Sequence, residues 1–342
     1  TDVSDASGTL LFDVRQRRWA DEVVQALGIP TDLLPRAVEG TALTGAITSQ
    51  AAAATGLQPG TPVMAGGSDN AAAAVGLGAV DPGVLTLSIG TSGVLFAPLE
   101  RYPDQVDGRL HVFCHAVPDR WHLMAVTLSA GGSLRWLRDL LQPLVPAAGD
   151  AAYDWLMERA STAPPGADGL VFLPYLTGER TPYADPDARG VFFGLHLGHR
   201  LEHLARAVLE GVAFSQRQGL ELMQRAGAAT DLARGAGGGL HSPLWRQILA
   251  DALGLGIQTT AAGTGAARGA AVLAGLGIGL YATPDVGITW PEQAIQQPHS
   301  PRPATLEHTW RTYASLYPRL AGAFAEAASR PQAMLDDAVT QS

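Results

Sequence analysis

Four glycine-rich segments constrain the fold of this chain more than any other feature: AGGSDNAAAAVGLG (65–78), SIGTSG (88–93), SAGG (129–132) and GAGGG (235–239). Glycine reaches backbone angles that other residues resist, and it lets a backbone approach a ligand or a second backbone closely. Just before the first segment, GTPVM (60–64) reads as a short buried strand; within it, Gly66 and Gly67 read as a turn and the alanines at 71–74 as a helix without bulk. Asp69 sits between turn and helix. An acid there can cap the helix N-terminus, or it can face a cavity and act as a base; the residues alone leave both open.

The other three segments read as anion-holding turns. SAGG and GAGGG precede helices, whose N-terminal N–H groups attract anions. SIGTSG lies between two strand-like runs in VLTLSIGTSGVLFAP (84–98), a hairpin pattern whose tip can form a nest of N–H groups. Thr91 and Ser92 add hydroxyl donors. Together these turns can hold a polyphosphate without lysine. That matters because all 23 basic side chains are arginine. A Walker A loop, a protein-kinase strand lysine and Schiff-base chemistry are therefore excluded. No strict G-x-G-x-x-G or G-x-S-x-G occurs, so the dinucleotide fingerprint and the hydrolase elbow are absent too.

At 342 residues the chain is long enough for two domains and a large core. Its net charge of −9 argues against a nucleic-acid surface. A lone cysteine, Cys114, excludes an intrachain disulfide and points to a reducing compartment. No signal peptide opens the chain, and its longest apolar run (269–282) is too short and glycine-broken to span a bilayer. A cytoplasmic location and no membrane partner are expected.

Segments 20–28, 131–141, 203–227, 265–277 and the tail from 306 read as helices. HVFCHAV and WHLMAVTLS read as the next two strands of a meander, LVFLPYL (170–176) as a buried strand, and TGERTPYADPDARG (177–190) as a polar loop. DPG (81–83) marks a domain boundary. The whole is a mixed α/β architecture. His196, His199 and His203 have spacings that can meet a metal, but they straddle a loop and a helix start and read as solvated. Cys114 and His115 are strand neighbours facing opposite sides, which argues against a nucleophilic pair. Trp136, Trp155 and Trp245 read as core or interface residues.

Taken in order, these motifs resemble the FGGY family of carbohydrate kinases. GVFFGLHLGHRLEHLARAVLE (190–210) is similar to that family's second signature, and TDVSDASGTLLFDV, GGSDNAA, LSIGTSGV, AGGSLRWLRD and LPYLTGERTP follow in the family's sequence. The resemblance covers nearly the whole chain. Asp-Asn-Ala-Ala, LPYLTGERTP and ARGVFFGL are similar to members that act on D-xylulose, whereas glycerol-specific members carry glutamines after the acid. The resemblance implies an actin-like ATPase (ribonuclease H-like) α/β fold of two domains with a cleft between them. Residues 1–80 would belong to the sugar-binding N-terminal domain and 81–342 to the nucleotide-binding C-terminal domain, with the final helix packing back on the first. It implies ATP-dependent conversion of D-xylulose to D-xylulose 5-phosphate. Asp69 would be the general base and Asn70 a sugar contact. Gly90, Thr91, Ser92 and Gly131 would hold the phosphates, and Gly238, Gly239 and Ser242 would line the adenosine end. Mg2+ would bridge the β- and γ-phosphates, and the expected assembly is a homodimer.

The family's opening phosphate loop, of Asp-x-Gly-Thr type, and its early Met-His sugar contact have no counterpart here. The chain is thus expected to be a fragment, with an incomplete first domain that has lost sheet partners and tends to associate, and to be inactive alone. Three other readings stand beside this one. One is a non-catalytic sugar- or nucleotide-binding module of the same fold. A second is a family member acting on ribulose, glycerol or gluconate. The third is another actin-like enzyme, which the signature at 190–210 disfavours.

Overall fold

A computed structural model describes residues 1–106, 108–142, 149–259, 265–285 and 295–329. The chain opens with short elements: α1 (Val3–Ala6), β1 (Phe12–Asp13), β2 (Arg18–Trp19), α2 (Asp21–Ala26), β3 (Leu43–Ala46), α3 (Ser49–Thr55), β4 (Pro62–Met64) and α4 (Asp69–Gly76). Then come β5 (Gly83–Ile89), β6 (Gly93–Leu99), β7 (His111–Cys114), β8 (Trp121–Thr127), α5 (Gly131–Leu141), α6 (Asp150–Thr162), β9 (Val171–Leu173) and β10 (Val191–Phe193). The remainder is α7 (Leu201–Arg225), β11 (Thr230–Ala236), α8 (Pro243–Leu253), β12 (Gly256–Thr259), α9 (Ala266–Gly277), β13 (Ile295–Gln296) and α10 (Ala304–Ala328). The expected second unit runs on to 342, so its last residues, 330–342, lie outside the described ones.

One sheet of seven strands organises the molecule, in the order β13-β12-β11-β5-β6-β8-β7. β11 runs parallel to both β5 and β12, and the other pairs are antiparallel. β5 sits in the middle of this sheet, and its Leu85, Leu87 and Ile89 are fully buried. That burial explains its near-continuous apolar run. The expected meander holds for the β5–β6 and β7–β8 pairs but not between them. β8, not β7, pairs with β6, and β7 pairs with β8 alone and becomes the edge.

Against the sheet lies α7, whose apolar face packs on α6, α8, β9, β8 and β6. The final helix, α10, packs on α7 and β9. Its aromatic stripe explains this: Trp310 and Tyr313 pack against Phe214 of α7, and the Tyr313 hydroxyl lies 3.1 Å from that of Tyr175.

The first eighty residues are tied on chiefly through α4. Gly76 passes the Gly265 carbonyl, and Gly269 of α9 passes the Ala72 carbonyl, so closely that no Cβ fits at either. The small-residue patterns of both helices serve this crossing. The strand expected to be buried at 60–64 is exposed at Pro62 and Val63. It pairs with β3 alone, and α9 meets it at Met64, beside Gly277.

Candidate active site

Three of the four glycine segments meet at one end of β5. Ile89 pairs with Gly93, so Gly90, Thr91 and Ser92 form a three-residue hairpin tip. The turn leading into α5 lies directly on it: Ala130 N donates to Thr91 O at 2.9 Å, Gly131 N to Gly90 O at 2.8 Å, and Gly132 N to Thr91 O at 3.0 Å. A Cβ at Gly131 would collide with Gly90 O. From the other side comes the turn after β11. Gly237 (φ +96°) would place a Cβ 2.6 Å from Ile89 O, and Gly239 would drive one into the Ile89 side chain and Trp245. Glycine is needed at these positions because backbones touch there.

The contacts change which groups remain for a ligand. The first two amides of α5, expected to face an anion, are spent on the Gly90 and Thr91 carbonyls. Among the described residues, the Thr91 and Ser92 amides at the hairpin tip donate to no protein acceptor, so the nest rather than the helix end offers N–H groups. Beside it opens a cleft of about 420 Å³ lined by Thr91, Gly132, Arg135, Trp136, Asp139 and Leu140. The Arg135 guanidinium donates to Thr91 Oγ1 at 3.3 Å and supplies the cation that no lysine can. Sequence reading missed Arg135, although its place four residues beyond Gly131, on the first turns of α5, was a usable signal.

On the third turn the two adjacent glycines differ. Gly239 packs inward, while Gly238 has open space where a side chain would stand. Ser242 is the N-cap of α8: its hydroxyl accepts from Trp245 N at 3.3 Å.

Asp69 is not the N-cap of α4. Ser68 holds that position, and Asp69 is the first helical residue. Its Oδ1 accepts from Asn70 N at 2.6 Å and from Asn70 Nδ2 at 2.9 Å, and the pair is exposed. An acid in the first turn still meets a favourable helix dipole. Asp69 begins the α4–β5 unit and Gly90 follows its end. No hydrogen bond joins Asp69 or Asn70 to the three turns among the described residues.

Other candidates have structural work. His196, His199 and His203 accept backbone N–H groups on Nδ1, from Gly198, His196 and Arg200, and His203 Nε2 lies 3.1 Å from Asp168. His199 and His203 are half-buried rather than solvated. The end of the 190–210 signature is a clamp: Arg206 donates to Glu210 at 2.7 Å, and Glu210 accepts from Gly166 N. Trp245 is core, Trp136 stacks on Phe172, and Arg159 lies over Trp155. Among the described residues no three His, Cys, Asp or Glu side chains converge on a metal-sized point.

One residue of the polar loop is buried against this site. Glu179 is 2% exposed, and its Oε1 accepts from Leu128 N at 2.9 Å and Arg180 N at 2.8 Å. Burial pushes its carboxyl up to about 7, against the two amides, which pull it down.

The family patterns agree with this architecture. The N-terminal domain of the FGGY family of carbohydrate kinases matches residues 1–76, and the C-terminal domain of that family matches residues 85–278. A xylulose kinase of Escherichia coli (strain K12) is 40% identical over 94% of this chain and 65% of its own length. One of Klebsiella pneumoniae is 42% identical over 80% of this chain and 55% of its own length. The crystal structure of xylulose kinase from Rhodospirillum rubrum is 32% identical and superposes with a TM-score of 0.85 over 95% of this chain and 65% of that one. The chain belongs to the FGGY family of carbohydrate kinases and has its actin-like ATPase fold. It spans between about half and two thirds of the length of these relatives. No helix among the described residues is long and apolar enough to cross a membrane.

Proposed function

We propose that this chain carries the nucleotide site and the general base of an ATP-dependent kinase for D-xylulose. The observation that carries the reading is the convergence of three glycine turns on the end of β5, in a chain whose relatives are named xylulose kinases. In this reading the Thr91 and Ser92 amides, their hydroxyls and Arg135 hold the terminal phosphates. Gly238 faces the adenosine end beside Gly239 and Ser242. Residues 1–80 belong to the sugar-binding domain and those from 81 to the nucleotide-binding domain.

The two donors on Oδ1 hold Asp69 in place and leave Oδ2 to accept a proton. Asp69 takes the proton of the terminal sugar hydroxyl as that oxygen bonds to the γ-phosphorus. The bond from the γ-phosphorus to the bridging oxygen breaks, and ADP leaves with its electron pair. Catalysis is then positioning plus electrostatics. Mg2+ entering with the nucleotide would offset the charge that develops on the phosphates.

The relatives are longer than this chain, and the reading expects turnover only when that additional length is supplied. The test is ATP consumption with D-xylulose, D-ribulose, glycerol and D-gluconate as acceptors, in the complemented chain and in its Asp69→Asn variant. D-Xylulose should be preferred, and the variant should lose turnover. No turnover by the complemented native chain would favour the non-catalytic binding module.

A further inference from the structure

We propose that Glu179 is a positioning residue for phosphate binding, latching the turn before α5 so that Thr91 and the hairpin tip stand where a nucleotide's phosphates meet them. The proposal rests on the nucleotide reading of that tip. It stands on a continuous run of contacts. The Tyr317 hydroxyl of α10 donates to Asp185 at 2.6 Å. Asp185 and Glu179 exchange backbone hydrogen bonds, each 2.8 Å. The Glu179 carboxyl holds Leu128 N, two residues before Ala130. Ala130, Gly131 and Gly132 then donate in turn to the Gly90 and Thr91 carbonyls. The Ser129 and Thr177 hydroxyls, 3.2 Å apart, add a parallel tie.

A carboxyl is a costly choice for a merely structural latch. It is buried, no cation pairs with it among the described residues, and its Oε2 has no hydrogen-bond partner. The groups facing it are Ser215 of α7, Tyr313 of α10, Tyr175 just before the loop and Tyr183 within it. All three tyrosines are raised above their ordinary range and stay neutral at physiological pH. Arg180 adjoins in sequence, but its side chain is exposed and acts on His111. An ionised carboxylate makes a stronger acceptor for Leu128 N than a neutral one. Losing the proton therefore tightens the turn, and gaining it loosens the turn.

The test is calorimetric titration with Mg-ADP at pH 6, 7 and 8. It compares the native chain with Glu179→Gln, Glu179→Ala and Gly131→Ala, each checked for a cooperative melt. Glu179→Gln keeps an acceptor for Leu128 N and cannot ionise. The native chain should lose about fivefold more affinity between pH 8 and pH 6 than Glu179→Gln does. Glu179→Ala should bind about tenfold more weakly at pH 8, with faster amide exchange confined to 128–133. If Glu179→Ala does not fold, Glu179→Gln and its pH profile decide alone. If both Glu179 variants follow the native chain at every pH while Gly131→Ala loses binding, the proposal is wrong and the nucleotide reading stands. If the native chain binds no ADP, or Gly131→Ala binds as the native chain does, the nucleotide reading fails and takes the proposal with it.

Discussion

Residues 1–80 and the sheet-bearing remainder are held together in different ways. In the remainder, β5 lies between β11 and β6 with three strands on each side, and its Leu85, Leu87 and Ile89 are inaccessible to water. In the first eighty residues β3 is exposed at every position, and Leu10 and Leu43 are 88% and 64% exposed. A two-stranded ladder such as β3–β4 is marginal on its own. The largest buried element there is α4, which α9 crosses without intervening side chains. The lesson is that similar apolar strand patterns are worth little until a second layer covers them. The first region draws its order from that helix crossing and from a small cluster of Val3, Ala6 and Phe12 against Cys114 of β7.

The largest expected effect is Gly269→Val. Its Cβ would overlap the Ala72 carbonyl, so α4 must leave α9. Amide exchange at 69–76 should rise to that of an open segment while β5 and β6 stay protected; unchanged exchange at α4 would break the comparison. Asp69→Asn, in the complemented chain, should cut turnover by about a thousandfold and leave the melting temperature alone, as fits an exposed general base. Leu87→Ala, in the buried strand, should cost about 3 kcal/mol by chemical denaturation, for lost transfer energy and a cavity.

A pH series sharpens the contrast further. Burial raises Glu179 from 4.5 to about 7, so the folded chain holds that proton more tightly than the unfolded one. Stability from this group is therefore full below pH 4.5 and is lost as pH rises through about 7, by about 3 kcal/mol. Glu179→Gln should flatten that slope and melt higher than the native chain at pH 8. The smallest effect belongs to the first region: Leu43→Ala should change stability by less than about 0.5 kcal/mol, since its side chain already faces water.

What was legible in the sequence was local. The bounds of α5, the β5–β6 hairpin and the close-packing stripe of α9 follow from residues within one turn or strand of each other. So do the three glycine turns, because tight backbone geometry leaves a mark on the residue type. Strand order was not legible, since nothing in residues 100–127 says that the returning strand will insert between β6 and β7. The cap of α4 was misassigned by one residue, because Ser68 and Asp69 are both good cap types. Glu179 was hidden for a different reason. TGERTP reads as part of a polar loop, yet its carboxyl is buried and accepts from an amide 51 residues earlier in the chain. The spending of the Gly131 and Gly132 amides on the hairpin tip likewise depends on two turns meeting in space.

The measurement that bears most directly on the nucleotide site is calorimetric titration of Mg-ADP into the native chain and into Gly238→Trp. Gly238 is the better probe than Gly239, whose side chain would strike Ile89 and Trp245 and disturb the fold itself. We predict that the native chain binds, and that Gly238→Trp melts as the native chain does while binding at least about tenfold more weakly, because the indole occupies the space given to the adenosine. Equal binding by the two folded chains would contradict a nucleotide lying across these turns.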